Sequence, residues 1–236
     1  QTLRCDPNLY PVWNQVLILE FEQGRWSDLQ KDASACAELF PSQALPFFFK
    51  GVTLNRSGAF AAAIESLETA KSVLIKDNAL LAEVLCQLGV ANFGQKNNEE
   101  ALALFKEAMT LGQGNLLIEL NYLHELAKYQ MEATKTNERL TELAIQFGAN
   151  PRCLFENAYS FFHLGQYMMS LDCLQKIQDP KFVQSAVYQE LLGDVYFHLG
   201  QVQEAVSSWQ KALTYGEGSI VLSEKITKKS YVQNPY

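Results

Sequence analysis

VYQELLGDVYFHLGQVQEAVSSWQKAL, residues 187 to 213, carries two helical patterns joined by a glycine. Leu192, Gly193 and Tyr196 fall on one side of the first pattern. Gly200 breaks it near its end, and Ala205, Trp209 and Ala212 follow at i, i+4 and i+7 on the second. Small residues such as Gly193 and Ala205 let two helices approach closely, and the large residues fill the space beside them. The stretch predicts two antiparallel helices joined by a tight turn.

The same frame recurs along the chain. Residues 10 to 41 carry Trp13, Leu17, Gly24, Leu29, Ala33, Cys36 and Pro41; residues 47 to 74 carry Gly51, Leu54, Gly58, Ala63, Leu67 and Ala70. Residues 84 to 111 carry Leu88, Gly89, Ala101, Phe105 and Ala108; residues 154 to 177 carry Leu154, Ala158, Phe161, Gly165, Leu174 and Ile177. The hairpin beginning near Leu116 is degenerate: it lacks the turn glycine, and MEATKTNERL, residues 131 to 140, sits where the turn belongs. Phe162-His163-Leu164-Gly165-Gln166 returns letter for letter as Phe197-His198-Leu199-Gly200-Gln201, 35 residues on. Periods of this size mean stacked supersecondary units. The expected repeats are 10–41, 44–75, 82–113, 116–150, 151–182 and 186–217.

Both ends are read in the same frame. Asp6-Pro7-Asn8 is a stop-and-turn signal, and Pro7 stands 34 residues before Pro41, the residue that closes the first repeat. Residues 1–9 are therefore expected to be the end of a truncated upstream repeat. A C-terminal fragment of a longer chain would expose an apolar edge near Trp13 and Leu17, which favours self-association. Residues 218–236 are expected to be a capping helix and tail. The helix is placed at about Ser219 to Lys229, with Lys225, Lys228 and Lys229 in its last turns, where positive charge suits the helix dipole.

The repeated pattern resembles the tetratricopeptide repeat, a helix–turn–helix unit with Leu-Gly and Tyr on its first helix, Ala, an aromatic residue and Ala on its second, and a closing Pro. Leu192, Gly193, Tyr196, Ala205, Trp209 and Ala212 match in the last unit, and Trp13 and Pro41 match the two ends of the first. Cys36 departs from the pattern in place of the last alanine of the first unit, as does Ser170 in place of an alanine of the fifth. The resemblance implies an all-α, right-handed superhelical solenoid of antiparallel helix hairpins with a C-terminal capping helix. It extends to bacterial repeat proteins attached to the cell envelope, which leaves the cytoplasm and the bacterial periplasm both open as compartments.

Composition narrows the partners. The 236 residues carry 19 basic against 26 acidic side chains, a net charge of −7, which argues against a nucleic-acid partner. No run approaches the ~18 apolar residues of a transmembrane helix, so direct membrane insertion is not expected. Cys5, Cys36, Cys86, Cys153 and Cys173 lie far apart, without CxxC, and read as small buried helix residues rather than disulfides or zinc ligands. Nucleotide-binding, metalloprotease and hydrolase motifs are missing from the sequence, so no catalytic residue, cofactor or metal is expected. Glu99 and Glu100 suit a helix start. His163 and His198 hold the same place in successive repeats, ~10 Å apart by helix spacing. A metal site there would need His124 or Asp194 as well, and three or four convergent ligands. Groove positions are the simpler reading.

First helices of stacked hairpins line a concave face. The resemblance puts partner contacts at fixed first-helix positions: Asn14, Ile18 and Phe21; Phe48, Asn55 and Arg56; Phe93; Phe155, Tyr159, Phe162 and His163; Glu190, Asp194, Phe197 and His198. One recurrent position is phenylalanine in four repeats, at Phe21, Phe93, Phe162 and Phe197. These rings either pack between neighbouring first helices or line a trough for a peptide or helix. Basic residues on the face are few, chiefly Arg56 and Arg152, so a strongly acidic ligand is not expected; Glu190 and Asp194 favour a basic or neutral ligand end. The family members that grip a C-terminal carboxylate use Lys and Asn where this chain has Asn14 and Ile18, Phe48 and Val52, Cys86 and Val90. No such clamp is expected. The function expected is a non-catalytic scaffold binding a partner peptide or helix. The alternative is an accessory or regulatory segment of a larger enzyme or secretion assembly whose activity lies upstream.

Overall fold

A computed structural model describes residues 9 to 148 and 150 to 234, and every regular element among them is a helix. The expectations placed on residues 1 to 8, Cys5 and Pro7 included, lie outside the described residues. The chain divides into two compact units, one ending at Glu119 and one beginning at Leu120.

The first unit holds α1 (Tyr10–Glu22), α2 (Trp26–Leu39), α3 (Ala44–Arg56), α4 (Phe60–Val73), α5 (Asn78–Gly94) and α6 (Asn98–Gly112). The boundary falls inside α7 (Leu116–Lys128). The second unit continues with α8 (Ala133–Gln146), α9 (Pro151–His163), α10 (Tyr167–Gln175), the short α11 (Pro180–Val183), α12 (Ala186–His198), α13 (Val202–Tyr215) and α14 (Leu222–Lys228). Local chemistry starts several of these. Asn150 accepts from the Arg152 and Cys153 amides with Pro151 at the first helical position, and Ser185 and Asp77 cap α12 and α5 the same way. In the pairs α1–α2, α3–α4, α5–α6, α9–α10 and α12–α13 the first helix packs on its own second helix, and α1 meets α3, α3 meets α5, and α9 meets α12.

Three pairs at one spacing hold the hairpins shut. A Cβ on Gly51 would lie 2.4 Å from Leu67 Cγ, one on Gly89 2.6 Å from Phe105 Cε2, and one on Gly193 2.4 Å from Trp209 Cδ1. Ala158 and Leu174 stand at the same spacing, both fully buried. In the first hairpin the sizes are exchanged, Leu17 on α1 and Ala33 on α2, and both are again buried. Trp13 is buried with Leu17, so these two residues are not themselves part of the apolar edge expected near them. Their stripe faces inward, and Leu9, Leu19 and Phe21 carry the exposed surface instead. Ser170 fits its alanine position by donating to the Ala158 carbonyl at 2.8 Å. Cys36, Cys86, Cys153 and Cys173 are all buried.

The turns share one backbone. Gly24, Gly58, Gly165 and Gly200 have positive φ, and Lys96 (φ 65) and Gln130 (φ 53) hold the same place in the other two hairpins. Each turn closes with the same pair of amide-to-carbonyl bonds, as at Gln201 to Tyr196 and Gly200 to Phe197, both 2.9 Å. The fourth hairpin thus turns at residues 129 to 132, at the very start of the stretch that the sequence suggested, because Gln130 and Glu132 adopt left-handed backbone without glycine. The last helix is also shorter than expected: seven residues, beginning at Leu222, because the Ser219 backbone is engaged elsewhere.

Candidate functional site

In the first unit the candidate residues are only partly surface. Phe48 and Phe93 are buried, Phe48 against Phe49 and Phe93 against Phe105. Asn14 and Ile18 are half-buried, and Phe21 is 40% exposed with its ring against Trp26 and Phe49. Arg56 stacks its guanidinium 4.6 Å over Trp26. Asn55 ties α3 to α5 by donating to the Gln87 carbonyl at 2.8 Å, and its buried Oδ1 has no hydrogen-bond partner among the described residues. Near this face Glu20 is buried, 3.6 Å from Arg25, and burial pushes its carboxyl up to about 7.

In the second unit the rings form a ladder across α7, α9, α10 and α12. His124 stacks on Tyr159 at 4.2 Å, Tyr159 lies 4.4 Å from His163, and His198 stacks on Tyr167 at 4.5 Å. Phe162 joins the two ends, touching His163, Tyr167 and His198, and is itself buried. Phe155 is buried against Phe182, and Phe197 leans on Trp209. Beneath the ladder Glu156 is fully buried between His124 Nδ1 at 2.7 Å and Arg152 at 2.6 Å. Burial raises its carboxyl, but the two partners outweigh that and hold it below the usual range. Burial, with His124 and Lys128 nearby, pushes His163 down to about 4, so its imidazole is neutral at pH 7. Among the described residues no three His, Cys, Asp or Glu side chains gather to hold a metal.

Glu190 and Asp194 are not open surface. Lys225 of α14 is 2% exposed and donates to Glu190 at 2.9 Å and to both Asp194 oxygens at 2.7 and 2.8 Å. The Ser219 amide donates to Glu190 at 2.8 Å, the Ser219 hydroxyl bonds the other Glu190 oxygen, and Trp209 Nε1 donates to Asp194 at 2.9 Å. Burial pushes Asp194 up to about 7, and Lys225 opposes it. Past the helix, Tyr231 reaches the ladder, 5.9 Å from Phe162 and 4.8 Å from His198. Lys225, expected in the helix's last turns for its dipole, is thus turned inward. Its signal was available: Leu222, Lys225 and Ile226 share one face, a lysine on an apolar stripe, and Glu190 and Asp194 sit one turn apart on α12. His124, Glu156 and Tyr167 were likewise missed as members of the face.

Residues 81–113 match the tetratricopeptide repeat family model. A tetratricopeptide repeat protein from Parabacteroides merdae superimposes with a TM-score of 0.69 at 13% identity, over 96% of this chain and 88% of that one. The anaphase-promoting complex hetero-tetramer Cut9–Hcn1 gives 0.60 at 15% identity, over 96% of this chain and 44% of that one. The type IV pilus biogenesis factor PilW gives 0.55 at 18% identity, over 87% and 93%. Among curated proteins none matches in sequence. Residues 81–113 are a tetratricopeptide repeat, and the chain as a whole has the tetratricopeptide repeat fold.

Proposed function

We propose that the protein is a non-catalytic interaction scaffold whose first-helix face binds a peptide or helix of a partner protein. The observation that carries the reading is the ring ladder from His124 through Tyr159 to His198, on first helices and partly open to solvent. Aromatic side chains presented this way are the usual anchors of protein interfaces. The fold supports the reading, because stacked helix pairs offer a broad surface on which side chains vary freely. In the first unit the exposed Phe21 ring suits an apolar side chain of a bound segment. Among the described residues no helix is long and apolar enough to cross a membrane.

The test is a partner captured from native lysate and measured against three variants. Phe21→Ala and Tyr159→Ala are expected to weaken binding at least tenfold while the proteins stay folded. Lys211→Ala, exposed on the second-helix side, is expected to leave it unchanged. Folded Phe21→Ala and Tyr159→Ala proteins that keep wild-type affinity would remove this face from consideration.

A further inference from the structure

We propose that the Glu190–Asp194 pair and the adjoining rings are a docking site for a segment bearing a lysine followed, six residues on, by an aromatic. The chain's own Ser219–Tyr231 segment is the resident occupant, with which such a partner exchanges. The proposal rests on the scaffold reading and names the ligand class of one part of its face.

The chemistry of the pocket selects a primary ammonium. Two carboxylates one helical turn apart converge on Nζ and accept three hydrogen bonds of 2.7–2.9 Å, which fits a point charge with three donors. The ring is selected next to it. Lys225 Nζ lies 5.4 Å over the Tyr231 ring, and Tyr231 in turn meets Phe162 and His198. Lysine and tyrosine come together because the backbone folds back after the helix, with Lys229 at φ 48 and the Ser230 amide bonded to the Lys225 carbonyl at 3.2 Å. Two carboxylates on a chain of net charge −7 also draw a basic partner.

The occupant is built to leave. Helix α14 has seven residues, too short to persist alone when lengths of roughly 12–15 are marginal. Its apolar anchors are Val221 and Leu222, with Ile226 and Tyr231 packed at the core's edge, and charge and hydrogen bonds supply the rest of its hold. A buried ion cluster confers geometric selectivity more than net stability, since desolvation offsets much of the attraction. A segment of equal chemistry, with an apolar residue in the place Leu222 holds beside Trp209, can therefore replace it.

A fluorescent peptide of residues 218–234, added to the full chain, tests the exchange. It is expected to bind a Lys225→Met chain at least tenfold more tightly than the wild type, whose own segment competes. Peptides carrying Lys225→Met or Tyr231→Ala are expected to bind that chain at least tenfold more weakly. No binding to a folded Lys225→Met chain, or equal binding of the altered peptides, overturns the proposal. Amide hydrogen exchange on the wild type decides it independently if the variant does not fold. Ser219 and Lys225 are expected to exchange at least tenfold faster than Ala205 and Trp209, and matched rates overturn it. Neither failure touches the Phe21 test, so loss of the exchange and loss of the scaffold reading remain separable.

Discussion

At the scale of single residues, the turn position is the most economical place to alter stability. Lys96 sits where four other hairpins have glycine, and left-handed backbone costs an ordinary residue ~1–2 kcal/mol. Glycine gives some of that back through its greater freedom in the unfolded chain. Lys96→Gly is therefore expected to stabilise the protein by about 0.5–1 kcal/mol, read from a denaturant titration. Gly193 makes the opposite case. Its missing Cβ is the space Trp209 occupies, so Gly193→Leu should unfold α12 and α13, and an unchanged melting temperature would contradict the close approach. Glu20 sets a pH dependence. Its folded carboxyl titrates at about 7 against an ordinary 4.5, so folding favours the protonated form. The associated stability is complete below pH 4.5 and is lost as pH rises through 7. Glu20→Gln should thus raise the melting temperature at pH 8 and change it little at pH 4.5.

At the scale of elements, α9 and α12 divide their aromatic residues between packing and surface. Phe162 is buried among four rings, so Phe162→Ala is expected to cost about 3–5 kcal/mol, whereas exposed His198→Ala should cost less than ~1 kcal/mol. Parallel urea melts check both. The helix pairs themselves were legible in the sequence because Gly51, Gly89 and Gly193 each face a large residue at a fixed spacing, a local pattern. The fourth turn was not, since Gln130 and Glu132 take left-handed backbone that their side chains do not announce. The face was legible in outline and misjudged in depth. Phe93, Phe155 and Phe162 lie on first helices as expected, yet first helices touch one another, and those rings fill the contact. From sequence alone Glu190 and Asp194 suggest a basic or neutral ligand end. What meets them, Lys225, lies 31 to 35 residues away, and no helical period links residues at that distance.

At the scale of the molecule, each unit is built from helices that pack on near neighbours in sequence, so damage should stay local. Hydrogen exchange on Gly193→Leu is expected to show lost protection over residues 186–228 and wild-type protection over α5 and α6; uniform loss would mean a single cooperative block. The charges are distributed unevenly in depth as well as in sign. Lys176–Asp172, Arg139–Glu142 and Lys228–Glu224 face solvent, whereas Lys225 and its two carboxylates are almost wholly covered. Dissolved ions reach the first group and not the second. At ~1 M salt, where screening acts over ~3 Å, the surface pairs fade and the buried cluster keeps its attraction. The last helix, like the buried Glu156 beside His124, is thus held by charge that a brine cannot loosen from outside, and an incoming lysine must first shed its own water and counterions to compete for it.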